Sequence, residues 1–418
     1  MTEDQVRAVG PAFARYVGGF ERHFDPRSVE HLRSYCRGLL TDLPRKSVEP
    51  IALASGTAVR TLQEFLKDYV WDRDGVRDEL QRRVAAHLAT TPDPLGTVGI
   101  ADETSQVKKG TKTPGVQRQY LGCVGKVDNG VVTVHVGVAR GAYKALLDAD
   151  LFVPESWDAD RDRCRAADIP DDVVYRPKWQ IALDQVRRAT ANGVRFDWFT
   201  FDEGYGDKPG FLAGLEADRV VYVGEVPRDF PTADGPAEQV TATDRRFTRS
   251  PWRVVRVPHQ TEADAGWEVK AVRVRFRRDG RATAGEYWLI VARSRSTEEV
   301  KYFASNAGAD VPVTRLVLVA FTRWNVEHAF RVAKTEAGLT HYEGRSYVGL
   351  IRHQLLCLLV VGFVAWHADG LRGEKPGGHG RTGVPGAQRP VRRVARTGSG
   401  YVGHRTHGRS HPVPPEKK

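Results

Sequence analysis

The chain has 418 residues, with 63 lysines and arginines against 52 aspartates and glutamates, and a formal net charge of +11. Hydrophobic residues make up 41% of it, which is enough for a large packed core and excludes a fully disordered chain. Its four cysteines form no CxxC pair, which argues against a disulfide scaffold and a zinc site and suits a reducing cytoplasm. The N-terminus lacks an apolar signal segment, and the apolar run 355–366 is shorter than the ~20 residues of a bilayer span. These features predict a soluble cytoplasmic protein of two or three domains.

The first 95 residues have helical periodicity. Apolar residues fall at helical spacing from Leu62 to Val70, and a second series recurs every four residues from Val76 to Leu88. The segment 90–96, TTPDPLG, contains helix-breaking residues. We therefore predict a helical region over 1–95.

The spacing of apolar residues changes after position 95, and residues 96–227 show strand and helix patterns, which predict an α/β region. Val98, Ile100 and Asp102 alternate with smaller residues, which predicts a strand that ends on a carboxylate. The pattern next predicts a hairpin of two strands, 120–127 and 131–139, joined by a turn at 128–130. Three further elements follow a helix over 181–193: a strand over 196–202 that ends on Asp202, a helix over 211–216 and a strand over 220–226.

Residues 228–311 read as a β-rich insertion. Val272, Val274 and Phe276 alternate with arginines, which predicts a strand with an apolar face. The arginines of the exposed face are Arg273, Arg275 and Arg277. Two helices are predicted beyond the insertion, one from Val313 through Lys334 and one from Tyr347 to Ala368.

The last residues, 369–418, form a basic tail. Positions 371–418 contain 11 lysines and arginines and two acidic residues, a net charge of +9, which leaves +2 for the rest of the chain. Ten glycines and six prolines accompany a single leucine, so this stretch cannot bury enough apolar surface to offset its chain entropy. We predict that it is disordered.

Three acidic residues stand out as candidates for chemistry: Asp102, Asp202 and Glu327. Each taken alone has an ordinary interpretation, as a strand-end cap or as part of an i,i+4 ion-pair stripe with Arg323 and Lys334 on one helix face. Together, two strand-end aspartates and a helical glutamate are the hard oxygen ligands that Mg²⁺ or Mn²⁺ prefer, and a pair of such ions suits phosphodiester chemistry.

The sequence resembles the DDE transposases of bacterial insertion sequences, of the insertion-sequence seven-hundred-one type. The similar segments are IADETSQVKKGTKTPGVQRQYLGCVGKVDNG, FDWFTFDEGYGDKPGFLAGLE and RWNVEHAFRVAKTEAGLTHYEGRSY. The resemblance implies an α/β (α+β) fold with an RNase H-like mixed sheet, flanking helices, a β-rich insertion over 228–311 and the last part of the core over 312–368. It also implies that Asp102, Asp202 and Glu327 are the catalytic triad and metal ligands, that two Mg²⁺ or Mn²⁺ ions are bound, and that Arg323 and Lys334 orient phosphate.

The implied activity is metal-dependent strand cleavage at transposon ends, followed by transfer of the 3′-OH into target DNA. The implied partners are terminal inverted repeats and target DNA, held by the N-terminal helical region, with two protomers pairing two ends. A bacterial cytoplasmic location at the nucleoid and no membrane association belong to the same expectation.

Some features of the sequence have more than one interpretation. The basic loop after Asp102 is either a solvated loop or a phosphate contact, through Lys108, Lys109, Lys112 and Arg118. Glu103 and Glu203 should not share the metal site, because adjacent residues of a strand point to opposite faces. An alternative is that the protein is a decayed transposase that binds DNA but no longer cuts it. The tail would then have arisen by a frameshift. A glycosidase with paired carboxylates is disfavoured, because flanking cations suit phosphate better than sugar.

Overall fold

The fold is described from a computed structural model, which covers residues 3–257 and 266–373. The predicted disordered tail lies outside the described residues from position 374 onward. The helices, with a single 3₁₀ turn at Glu21–His23 left unlabelled, are α1 (Glu3–Gly18), α2 (Val29–Leu40), α3 (Val48–Ser55), α4 (Val59–Lys67), α5 (Arg73–Thr90), α6 (Glu155–Asp158), α7 (Arg161–Ala166), α8 (Lys178–Ala191), α9 (Glu203–Gly206), α10 (Pro209–Ala217), α11 (Ala237–Thr243), α12 (Arg245–Arg249), α13 (Val313–Phe321), α14 (Trp324–Thr335) and α15 (Tyr347–Gly373). The strands are β1 (Val98–Val107), β2 (Gln117–Leu121), β3 (Lys126–Arg140), β4 (Tyr143–Leu151), β5 (Trp198–Thr200), β6 (Val223–Val226), β7 (Pro231–Thr232), β8 (Gly235–Pro236), β9 (Arg253–Val255), β10 (Trp267–Val274), β11 (Arg277–Arg278), β12 (Arg281–Ala282), β13 (Tyr287–Ser294) and β14 (Val300–Ser305).

The central sheet is built around the long strand β3. One edge of β3 pairs antiparallel with β1, and its other edge pairs first with β2 and then with β4. Strand β5 runs parallel to β1, and the helical segment between β4 and β5 supplies the crossover that parallel strands need. Helices α8, α14 and α15 pack against this sheet. The predicted mixed sheet with flanking helices is confirmed.

The hairpin turn differs from the predicted position. Strand β3 continues through 128–130, and the turn lies instead between Leu121 and Lys126, where Gly125 has a φ of 65°. Asn129 does not form a turn, because its side-chain amide donates to the carbonyl oxygens of Lys108 and Gly110 in the neighbouring loop. Strand β4, which follows β3 directly, has no counterpart in the predicted elements.

The β-rich insertion forms a second antiparallel sheet in the order β6-β14-β13-β10-β9. Its strand β6 precedes the insertion, and a parallel bridge between Phe199 and Tyr222 links this sheet to β5. Val272, Val274 and Phe276 are buried, as the alternation predicts. The second sheet is therefore anchored to the edge of the first one.

Helix α15 is the core helix of the described chain. It extends to Gly373, beyond the predicted end at Ala368, and packs against β4, α2, α4 and α5. Its segment Tyr347–Arg372 is long and apolar enough to cross a membrane by length and composition, and 83% of the most apolar window is buried inside the fold. The helix is longer than the apolar run 355–366 of the sequence indicated, and its apolar residues are buried in the core.

Helix α15 also contains a buried histidine, His353, with two polar partners. Its Nε2 donates to the carbonyl oxygen of Gly338 at 2.9 Å, so Nδ1 is unprotonated and accepts the hydroxyl of Tyr35 at 2.8 Å. Burial lowers the pKa of His353 to about 4, whereas an unfolded histidine titrates near 6.5. The folded chain therefore keeps this ring neutral at pH values where the unfolded chain protonates it.

We expect the free energy of unfolding to decrease as the pH falls from 6.5 to 4, by about 3 kcal/mol for this histidine. The contribution is fully present above pH 6.5, because only the unfolded state takes up the proton below that value. Urea titrations of the wild type and of His353→Gln at pH 7, 5.5 and 4 measure it. The variant should lose less stability on acidification; equal losses would contradict the assignment.

Candidate active site

A cavity of about 700 Å³ lies where β1 emerges beyond the end of β5 and helix α14 crosses the sheet. Its lining includes all three carboxylates of the sequence prediction and both flanking cations, namely Asp102, Asp202, Glu327, Arg323 and Lys334. Residues from three separate chain segments thus reach one cavity.

Asp102 lies in the middle of β1, opposite His135 of β3. The prediction that the strand ends at Asp102 is wrong, because β3 continues to pair with β1 as far as Val107. Strand β5, in contrast, pairs with β1 only over Val98–Ile100, so the edge of β1 at Asp102 is free of a parallel neighbour. This open edge gives the carboxylate its access to the cavity.

The environment of Asp102 disfavours its charge. Burial raises its pKa to about 7; the guanidinium of Arg323 opposes this rise, and the negative charge of Asp202 adds to it. Its Oδ1 accepts the backbone N–H of Glu103 at 2.7 Å. A partly buried carboxylate beside a second carboxylate is stabilised in its charged form by a nearby cation.

Asp202 follows strand β5 and occupies the N-cap position of α9. Its Oδ1 accepts the backbone N–H of Tyr205 at 3.3 Å, which fixes the side chain at the start of the helix. The preceding Phe201 is buried, and its carbonyl oxygen accepts the N–H of Glu225. The buried strand and the cap therefore place this carboxylate at the end of β5, as the sequence predicts.

Glu327 belongs to α14, whose start differs from the prediction. The expected continuous helix from Val313 to Lys334 is interrupted, since α13 ends at Phe321 and α14 begins at Trp324. Phe330 of α14 packs edge-on against the ring of His135, with a centroid distance of 4.9 Å. This contact orients the helix, and the side chain of Glu327 remains 58% exposed at the cavity.

Arg323 stands at the break between the two helices and joins two of the carboxylates. Its Nη1 lies 3.4 Å from Asp102 Oδ2 and 3.6 Å from Glu327 Oε1. The guanidinium side chain is 17% exposed and that of Asp102 is 14% exposed, so this ion pair is shielded from solvent. In this arrangement Arg323 is the counterion between the strand carboxylate and the helix carboxylate.

Lys334 lies two turns along α14 from Glu327 and also lines the cavity. Burial lowers its pKa, and Cys123 and Asp102 partly oppose that effect. Its Nζ is 5.6 Å from the ring centroid of Phe330, and within the described residues it has no carboxylate partner. A half-buried, unpaired ammonium in this position can form an ion pair with an anionic group of a ligand.

The basic loop after Asp102 is not brought into the cavity. Lys108 donates to the carbonyl oxygen of Tyr342 at 2.6 Å, and burial lowers its pKa to about 8. The other three cations, Lys109, Lys112 and Arg118, are exposed and do not line the cavity. Any contact they make with a ligand therefore lies outside the carboxylate cavity.

Two further charged residues line the cavity: Glu103, which we expected to point away from it, and Lys178, which the sequence did not single out. Glu103 lines the same cavity as Asp102, although neighbouring strand residues point to opposite faces, because the edge of β1 is uncovered here. It forms an ion pair with Lys178, the first residue of α8. Burial raises the pKa of Glu103, and Lys178 opposes this rise. Lys178 lies 75 positions from its partner, so no local spacing could have indicated the pair.

The donor types at the cavity fit a divalent cation, since the three carboxylates supply hard oxygen ligands. Across residues 3–257 and 266–373, however, no three His, Cys, Asp or Glu side chains are close enough together to hold a metal ion. Asp102 and Asp202 interact electrostatically, whereas Glu327 is engaged by Arg323.

The order of the central sheet, with carboxylates on β1, after β5 and on a helix beyond the insertion, defines an RNase H-like fold of the DDE class. The family described as DDE superfamily endonuclease matches residues 20–286, and the chain belongs to that family. The match includes Asp102 and Asp202 and ends before Glu327.

A curated relative is the "Probable transposase for insertion sequence element IS701" of Microchaete diplosiphon. It is 33% identical to this chain over 202 residues, which cover 48% of this chain and 49% of the relative. The chain thus matches about half the length of this relative.

Proposed function

We propose that the protein is the DNA transposase of an insertion sequence. In this proposal it cuts DNA strands at the transposon ends and transfers the freed 3′-OH into target DNA. The observation that carries the proposal is the assembly of three carboxylates and two cations, from separate elements, in one cavity of a DDE-family fold. The name of the curated relative, a probable transposase, supports the same conclusion.

In the proposed site Asp102, Asp202 and Glu327 hold two Mg²⁺ or Mn²⁺ ions. Bound metal would supply a lowered pKa for the attacking water and charge neutralisation at the scissile phosphate. Arg323, which lies between Asp102 and Glu327, would orient the scissile phosphate through its guanidinium. Lys334, which is unpaired among the described residues, contacts the same phosphodiester.

The DNA outside the cavity is held by sequence-independent contacts. Lys109, Lys112 and Arg118 are exposed and available to phosphates, and Lys108 belongs to the same loop. The N-terminal helices α1 to α5 hold the terminal repeat, and two protomers pair two ends. These assignments follow from the resemblance to transposases and from the exposed positions of the loop cations.

The proposal is tested with the purified chain and duplexes that carry the element's terminal repeats and flanking DNA. We expect strand cuts at the repeat boundary with Mg²⁺ or Mn²⁺ and none in the presence of EDTA. Binding of the repeats without cleavage by any divalent metal would favour the decayed, DNA-binding alternative. Absence of both binding and cleavage would overturn the proposal.

The insertion offers a separate prediction about DNA binding. Arg275 and Arg277 are exposed and Arg273 is half-buried; Arg273 donates to the carbonyl oxygen of Ala307 at 2.8 Å, and Arg277 donates to that of Ala233 at 3.0 Å. If this face contacts phosphate, Arg275→Gln should reduce the slope of log K against log salt by about 0.9, the release expected for one phosphate contact. Arg273→Gln serves as the matched control and should leave the slope unchanged. Equal slopes for the wild type and Arg275→Gln would make this face a solvated surface.

A further inference from the structure

A second cavity, of about 330 Å³, adjoins the carboxylate cavity. The two share Glu103, Lys178 and Gly204 in their linings, so they meet at the open edge of β1. The remaining wall of the second cavity is aromatic and basic, with Phe152, Tyr175, Trp179, Tyr205 and Lys208. We call it the aromatic cavity.

The aromatic rings of this cavity are only partly used in packing. Phe152 and Tyr175 meet edge-on with their centroids 6.1 Å apart, and both are half-buried. Trp179 is half-buried too, and its ring lies against Gly210, where a Cβ atom would come within 2.9 Å of the indole. Glycine at this position therefore allows the indole to approach α10 closely. Three large rings with accessible surface therefore surround one cavity.

Tyr205 adds an unsatisfied polar group to this wall. The residue is 3% exposed, and its hydroxyl is buried without a hydrogen-bond partner among the described residues. A buried hydroxyl of this kind loses free energy unless a ligand or water completes it. It therefore provides a polar contact for a molecule that enters the aromatic cavity.

Two lysines stand at the rim of the aromatic cavity. Lys178 pairs with Glu103 and lies 5.5 Å from the ring centroid of Phe152, and Lys208 pairs with Asp207 at 2.8 Å. Both are partly exposed, so an incoming anion can compete with these carboxylates. A planar apolar interior with cations at its rim matches a nucleotide, which has an aromatic base and an anionic backbone.

We propose that the aromatic cavity takes one unpaired nucleobase of the DNA strand that lies in the carboxylate cavity. This inference rests on the proposed function, which makes DNA the substrate. The base stacks on Trp179 with Tyr175 or Phe152 beside it, Tyr205 contacts its polar edge, and Lys178 and Lys208 contact the flanking phosphates. Removal of one base from the stack exposes the neighbouring phosphodiester to the carboxylates, at a cost that aromatic stacking offsets.

The proposal is tested by a two-way cycle on terminal-repeat duplexes. One series keeps every base, and in the other each position near the cut is made abasic in turn. On intact DNA, Trp179→Ala should weaken binding about 5- to 150-fold, as expected for the loss of one base stacked on an aromatic ring. On DNA that is abasic at the position of the stacked base, the variant should bind as tightly as the wild type binds the same DNA. A loss that is equal on intact and abasic DNA at every position, or no loss at all, overturns the proposal.

Further variants separate stacking from folding. Trp366→Ala, which removes a 42%-exposed tryptophan from α15, is the control and should show no dependence on the abasic position. Tyr175→Ala should reproduce the position dependence of Trp179→Ala, and Trp179→Phe should retain most of the affinity. If Trp179→Ala fails to fold, these two variants decide the question. Normal cleavage without any position dependence refutes only the aromatic cavity, whereas a wild-type chain that neither binds nor cuts DNA refutes the proposed function as well.

Discussion

Replacing Asp202 by asparagine is expected to lower the rate of strand cleavage by about 10³-fold or more, since it removes a charged ligand on which the proposed metal chemistry depends. Asparagine has nearly the same shape, and its amide oxygen can still accept the N–H of Tyr205, as Oδ1 of Asp202 does. The cap of α9 and the local fold should therefore survive the change. Affinity for the terminal repeat should stay within about twofold, because phosphate contacts by lysine and arginine dominate it.

The control for this experiment is Asp207→Asn, seven residues after the C-terminal end of β5. Asp207 pairs with the adjacent Lys208, is 54% exposed and does not line the carboxylate cavity. Its replacement should leave cleavage unchanged. Cleavage is measured on labelled repeat duplexes with Mg²⁺ and with Mn²⁺, and binding is measured without metal. Wild-type cleavage by Asp202→Asn would remove this residue from the site, even if all other assignments stand.

Sequence reasoning located the carboxylates because strand and helix periodicity are local properties. Asp202 ends a short apolar run, and the spacing from Arg323 to Glu327 is one helical turn, so both placements follow from a few neighbouring residues. The same reasoning misplaced the end of β1 and the hairpin turn. The extent of β1 is set by its pairing with β3, and that pairing depends on residues about thirty positions away.

The neighbours of the carboxylates could not be predicted, for a related reason. Lys178 reaches Glu103 only because α8 packs across the sheet, and the contact of Arg323 with Asp102 spans 221 positions. The break between α13 and α14 also lacks a local signal, since the two residues at the break, Thr322 and Arg323, are not helix breakers as proline and glycine are. These features arise when elements pack, and single-sequence periodicity carries no information about that packing.

The second large effect concerns stability and lies away from the active site. Arg188 of α8 holds two carboxylates of β4: its Nε is 2.9 Å from Asp148 Oδ2, and its Nη2 pairs with Asp150. Gln81 and Gln185 donate to the same two carboxylates. The side chain of Asp148 is 4% exposed and that of Asp150 is 19% exposed, so water solvates neither charge well. Arg188→Met should destabilise the fold by about 3–5 kcal/mol, because it removes the guanidinium that pairs directly with both buried carboxylates and leaves only the more distant Arg77 and Arg176.

The pH dependence of this variant distinguishes uncompensated charge from lost packing. Without Arg188, burial and mutual repulsion raise the pKa values of Asp148 and Asp150 above that of an unfolded aspartate. The folded state then binds more protons than the unfolded state, so the stability of Arg188→Met relative to wild type should improve as the pH falls from 7 towards 4. Urea titrations at both pH values measure this difference. If the difference in unfolding free energy between wild type and Arg188→Met is the same at pH 7 and pH 4, the loss comes from packing.

Two comparisons isolate the role of the charge at Arg188. Arg187→Met removes the adjacent arginine, which is 47% exposed and pairs with Asp218 at 2.7 Å. Because exposed pairs contribute about 0–1 kcal/mol, this control should be nearly neutral. Adding Asp148→Asn and Asp150→Asn to Arg188→Met should restore most of the lost stability, since a neutral cluster leaves no buried charge to compensate. If the triple variant is no more stable than Arg188→Met alone, then the three side chains stabilise the α8–β4 contact by their shape and not by the balance of their charges.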